Sequence, residues 1–215
     1  MSGGVPEAAS PAVVAGLRRL ARSRPAPGPE PAATGARCDL CGGSMDDEHR
    51  HLLSLEERRI LCACEPCWAM RAGDPGLRPS GSRSLLLDGF SLSDELWASF
   101  QIPIGLAFFF RSAASGGIVA LYPSPAGATE SELYLETWND LVAANPVLET
   151  LEHEVEALIV DRISDEHGYA IVPIDRCYEL VGRIKASWTG ISGGSSVEDA
   201  IGAFFARLRA GGLAA

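Results

Sequence analysis

Apolar positions along the chain recur with two periods, and where the period changes one element gives way to the next. Ile102-Pro-Ile-Gly-Leu-Ala-Phe-Phe-Phe110 is almost continuously apolar, too short for a buried helix and rich in aromatic and branched residues, which predicts a buried strand. Ser112 to Gly117 predicts a turn, and Ile118 to Tyr122 the return strand of an antiparallel hairpin. A second pair is expected over Val155 to Arg162 and Tyr169 to Ile174, joined by the polar turn Ser164 to Gly168, with Pro173 marking a strand end or edge. Leu85 to Phe90 predicts a short strand and Ser93 to Ser99 one or two helical turns.

Between and after these strands the spacing becomes helical. Thr129-x-x-Glu132 has the form of a capping box and predicts a helix over Ser131 to Ala144, its inner face carrying Leu135, Trp138, Leu141 and Val142. Asn145-Pro146 stops it, and Val147 to Glu154 adds a further turn or two. Asp175 is expected to cap a helix running to Trp188, with Cys177, Leu180, Val181 and Ile184 as its apolar stripe. Ser195-x-x-Glu198 forms a second capping box before Val197 to Arg209, and Gly211-Gly212 ends that helix. The fold class expected is therefore α+β: a small zinc-ribbon-like metal module followed by an antiparallel-sheet domain with about three helices. The loop Tyr122-Pro-Ser-Pro-Ala-Gly-Ala-Thr-Glu-Ser131 is expected to connect strand to helix and to offer accessible backbone as a ligand or partner surface.

Domain boundaries follow from changes in composition. Residues 1–36 predict a flexible segment with a short basic helix, Pro11 to Arg24, which either packs on its own protein or docks on an acidic partner. Residues 25–36 predict a proline-rich linker. A cysteine module is expected over 37–70, a second linker over 71–84 from its Gly, Pro, Ser and Arg content, and the α+β domain over 85–211.

At 215 residues and 47% hydrophobic, the chain can bury a substantial core. Its net charge of −10 leaves no evident phosphate-neutralising patch, which argues against nucleic acid as a partner. No apolar run approaches the roughly 18 residues of a membrane helix, and Met1 to Ala12 has no export-signal pattern, so membrane insertion is not expected and the cytoplasm is the expected compartment.

The chemistry is concentrated in Cys38 to Cys67, which holds five of the six cysteines and two of the four histidines. Cys38 and Cys41 form a CxxC followed by Gly42 and Gly43, and Cys64 and Cys67 form another, with 22 residues between the pairs. Two such knuckles present four thiolates to one centre, and a tetrahedral S4 site suits Zn2+ or a single iron. His49 to Leu55 and Arg59 to Cys64 predict strands joined at Glu56-Glu57-Arg58, a hairpin that carries the chain from the first knuckle to the second. Metal ligation is assigned to Cys38, Cys41, Cys64 and Cys67. Cys62 shares a strand face with Cys64 and is expected close to the ion, and a ligand set including Cys62 or His51 is the alternative. Disulfides are disfavoured in a reducing compartment. Cys177, far from the others, reads as a small buried hydrophobe, and His153 and His167 as solvated surface residues among carboxylates. No dinucleotide or Walker loop, nucleophile elbow or HExxH occurs, so no catalytic residue is assigned.

Given CxxCG, EHRHLL and CxCxxC, and later YPSPAGATE, VPIDRCYELVG and FFARLR, the chain resembles an uncharacterised actinobacterial family of unknown function over about Cys38 to Arg209. Members of that family tend to be encoded beside high-affinity nickel-iron hydrogenases. The resemblance implies an accessory role in assembly, maturation or electron transfer, with a hydrogenase component as partner. Two functions from different classes then stand: a non-enzymatic zinc-binding accessory protein, and a rubredoxin-like iron protein that carries electrons. A third, an enzyme using Cys62 or His51 as reactive group, would need an ion with only three protein ligands.

Overall fold

The computed structural model describes residues 36–113, 115–131, 133–188 and 194–211, and the backbone of 213–214. The expected N-terminal segment and its basic helix lie outside the described residues, as does Glu132. The elements are β1 (Arg50–Ser54), β2 (Arg59–Ala63), α1 (Glu65–Arg71), β3 (Leu77–Pro79), β4 (Leu85–Leu86), α2 (Asp94–Ser99), β5 (Leu106–Ser112), β6 (Gly117–Ser124), β7 (Gly127–Ser131), α3 (Leu135–Ala144), a 3-10 turn (Pro146–Thr150), β8 (Glu156–Asp161), β9 (Gly168–Pro173), α4 (Ile174–Ser187), α5 (Ser195–Gly211) and β10 (Leu213–Ala214).

A mixed α+β fold results. The main sheet runs β10-β4-β9-β8-β5-β6-β7, antiparallel throughout except where β10 joins β4. One of its inner strands, β5, lies between β8 and β6 and alternates between two cores because side chains on a strand point to opposite faces. Leu106, Phe108 and Phe110 meet Ile159 and Val172 on one face, under Leu180 and Ile184 of α4 and Ile201, Phe204 and Phe205 of α5. Ala107 and Phe109 meet Leu158, Val160 and Ile171 on the other, under Phe100, Trp138, Leu141 and Leu148. Burial on both faces is the physical reason that LAFFF shows no polar alternation. Cys177 is buried in the first of these cores, and burial pushes its thiol well above the ordinary range.

Four local expectations need correction. The apolar strand expected from Ile102, β5, begins at Leu106. YPSPAGATE is not a strand-to-helix connector: β6 continues through Pro123 and Ser124, turns at Pro125-Ala126, and returns as β7, so Thr129 lies in a strand opposite Tyr122. The capping box therefore does not form, and α3 starts after Tyr134 with no side-chain cap. Finally, Asp175 does not cap α4, whose N-cap is Pro173.

The segment 71–84, expected as a linker, contains β3, which pairs with β1 and makes a three-stranded sheet of order β2-β1-β3. Arg83 then fixes its far end. The guanidinium donates to both carboxylate oxygens of the buried Glu156, at 2.9 and 2.5 Å, and to Thr150 Oγ1 and O. Planar bidentate pairing of this kind is what an arginine supplies and a lysine does not.

A four-cysteine centre and a histidine-lined cleft

The first knuckle is built by backbone hydrogen bonds. Cys38 N donates to Gly43 O and Gly42 N to Cys38 O, each at 2.8 Å, while a bridge pairs Arg37 with Ser44. Gly42 sits at φ +73°, the left-handed conformation that glycine adopts without steric cost, just after the second cysteine. Asp39 ties the knuckle to the hairpin: its amide donates to Cys62 O at 2.8 Å, and its carboxylate accepts from Cys62 N at 2.7 Å. Asp39 was not singled out from sequence, because the amide it accepts from lies 23 residues away and meets it only in the fold.

The second CxxC is not a knuckle. Cys64 is the N-cap of α1, and Cys67 stands in the first turn, where Trp68 N donates to Cys64 O at 2.9 Å. Pro66 in that first turn favours helix, and Trp68 follows Cys67 where a knuckle would need glycine. One helical turn separates the two thiols, so both still reach the first pair. All four sulfurs lie within 4.8 Å of one another, and Cys41 Sγ is 3.7 Å from Cys64 Sγ. A tetrahedral ion with metal–sulfur bonds of about 2.3 Å separates its sulfurs by about 3.8 Å. The group is thus able to hold a metal ion, and all six cysteines are free of disulfides.

Crowding splits the thiols' acidities. Burial opposes ionisation of Cys38, but hydrogen bonds from the backbone of Cys64, Leu40 and Cys41, with the Cys41 thiol, hold it at about 6. Cys67 is pushed up to about 12, chiefly by its hydrogen bonds with Cys64 and Cys41. One sulfur gives up its proton early because backbone and thiol donors stabilise its thiolate, and another holds on late because its hydrogen bonds to neighbouring sulfurs favour the protonated form.

Cys62 is placed elsewhere. It faces His51 directly across the hairpin and groups with His49 and His51, rather than with the four sulfurs. Burial, then the charges of Asp39 and Cys38, pushes its thiol up. His51 Nδ1 lies 2.6 Å from Asp175 Oδ2, so the first turn of α4 meets the hairpin at this point. Burial alone would raise the Asp175 carboxyl, but the hydrogen bond with His51 holds it below the usual carboxylate range. Between hairpin and helix opens a cleft of about 1440 Å3, bordered by His49, His51, Cys62, Trp68, Asp175 and Tyr178. The signal for Asp175 was an acid in the first helical turn, which sequence alone assigns to capping.

Among the described residues, no helix is long and apolar enough to cross a membrane. A family model described as a family of unknown function, DUF5947, matches residues 37–212. No curated protein and no solved structure matches the chain.

Proposed function

We propose that this chain, which belongs to the family of unknown function DUF5947, is a non-enzymatic metal-binding accessory protein whose Cys38, Cys41, Cys64 and Cys67 hold one Zn2+. The convergence of four sulfurs from two chain segments carries this reading. Four protein ligands close a zinc centre and leave it structural. The ion then fastens the first knuckle and α1 to the hairpin, and binding and folding of such a module are one free energy, on the order of 10 kcal/mol.

The partner is a component of a nickel-iron hydrogenase, and the role is assembly or maturation in the cytoplasm. Support for this comes from the sequence resemblance described above. The α+β domain supplies the docking surface.

Two measurements test the reading. Elemental analysis and a visible spectrum on full-length protein purified without added metal should find zinc and no colour. Cys41→Ser, at the exposed ligand, should lower the zinc content by one equivalent. A reddish protein containing iron would instead establish the rubredoxin-like electron carrier, and unchanged zinc in Cys41→Ser would sink the four-cysteine assignment. Affinity capture of hydrogenase subunits from the native host should succeed with the tagged chain, and their absence from the captured material would remove the hydrogenase role.

A further inference from the structure

On the hairpin face turned toward α4, two imidazoles and a thiol converge. His51 and Cys62 are partners in the β1–β2 register, and His49 precedes β1. Their ligand atoms all lie within 4.8 Å of one another. His49 Nε2 and His51 Nε2 are 3.2 Å apart, their rings nearly perpendicular at 80°.

The opposite nitrogen of each ring is already engaged. His49 Nδ1 is 3.0 Å from the carbonyl oxygen of Asp46, and His51 Nδ1 is 2.6 Å from a carboxylate oxygen of Asp175. A carbonyl can only accept, and so can an ionised carboxylate, so both Nδ1 atoms carry hydrogen. In the neutral rings the two Nε2 atoms then point lone pairs at each other across hydrogen-bond distance. A cation between them resolves that repulsion.

A shared proton would satisfy the two nitrogens but would give the thiol no part. A metal ion uses all three donors. At metal–nitrogen bonds of 2.0–2.1 Å, tetrahedral geometry separates two imidazole nitrogens by about 3.4 Å, close to the spacing found. An imidazole whose Nδ1–H is held by a carboxylate or a carbonyl, leaving Nε2 for the ion, is the usual support of a histidine ligand.

We propose that His49, His51 and Cys62 form a second metal site, separate from the four-cysteine centre, that takes a borderline divalent cation such as Zn2+ and keeps its fourth position open to the cleft. Three protein ligands and an exchangeable position distinguish it from the closed S4 centre, and suit it to binding water or a small anionic ligand on the ion. Asp175 is a positioning residue there: it orients His51 and belongs to the sheet domain, so occupancy of the site couples the hairpin to α4.

The test uses full-length protein stripped of metal under reducing conditions and titrated with Zn2+ or with Co2+ as a coloured probe. The wild type should bind two equivalents. His49→Gln and Cys62→Ser should each bind one, and in Cys62→Ser the cobalt spectrum should keep the intense thiolate bands of an S4 centre. Cys41→Ser should lose the other equivalent and keep the cobalt bands of a site with nitrogen and a single sulfur. Asp175→Asn should weaken only the His/Cys equivalent, by about 10- to 100-fold. Far-UV circular dichroism identifies any variant that has lost its fold, and His49→Gln, outside the strands, then serves in place of Cys62→Ser. Wild-type stoichiometry and an unaltered cobalt titration in His49→Gln overturn the site and leave a proton shared between the imidazoles.

Discussion

Gly168, the first residue of β9, is held by sterics rather than by backbone conformation. A Cβ placed there would lie 2.8 Å from the ring of Phe205, which is itself buried against the sheet by α5. The ring cannot retreat, because Phe204 packs on it edge to face at 5.6 Å and the surrounding core is closed. Gly168→Ala should therefore destabilise the fold by about 1–3 kcal/mol, the usual range for overpacking. Chemical denaturation would show this as a lower midpoint at an unchanged slope. Gly168→Ala with Phe205→Leu should cost less than the sum of the two single changes, since the smaller side chain makes room for the added methyl. A strictly additive double variant would contradict the steric account.

At the scale of elements, what could be read from the sequence divides along physical lines. The buried strands, the α4 stripe and the clustering of Cys38, Cys41, Cys64 and Cys67 follow from side-chain spacing within short segments, which a sequence displays directly. Register does not. A three-residue turn at Glu56-Glu57-Arg58 would pair Leu55 with Arg59, whereas the turn actually takes four residues, with Arg58 at φ +50°, and pairs Ser54 with Arg59. That shift of one residue places Cys62 opposite His51, so the His49, His51 and Cys62 cluster was hidden while every member of it was visible. Likewise, the prolines of YPSPAGATE suggested a connector, yet β7 is the edge strand and Pro123 lies in β6 beyond Leu121, the last residue paired with β5, where a proline costs no ladder hydrogen bond. The β6–β7 hairpin depends on Gly127 at φ +119°, just after the two-residue turn, where Ala126 N and Thr129 Oγ1 both donate to Ser124 Oγ. Gly127→Val should cost about 1–3 kcal/mol, because a branched side chain cannot adopt that conformation without strain. Hydrogen exchange should show the loss in β7 amides, while β8 keeps its protection; a uniform loss through the sheet would argue that the hairpin is not a local unit.

For the whole molecule, the β1–β2 hairpin is the joint between two bodies of very unequal core. Its inner face, through Leu53 with Leu55 and Ile60, packs into the same apolar layer as α4 and α5. Its outer face buries only Leu52, Leu61 and Ala63, with Leu40, Trp68, Ala72 and Leu77 partly covering them. Fully burying a leucine contributes about 1.5–3 kcal/mol, so so small a cluster cannot offset the ordering of the knuckle and α1 at about 1–2 kcal/mol per residue. An ion held at the four sulfurs, as proposed above, would supply the difference. Cys41→Ser should consequently leave the protein folded around its main sheet while the amides of Cys38, Gly42 and Trp68, which hydrogen-bond within the knuckle and α1, exchange at least about tenfold faster. Amides of β8 and β9, deep in the sheet, should be unaffected, and β1 should be intermediate because β3 and the inner core hold it from the other side. Equal acceleration in β8 and Gly42 would mean that the sheet domain depends on the metal too; no acceleration at Gly42 would mean that backbone bonds alone hold the knuckle.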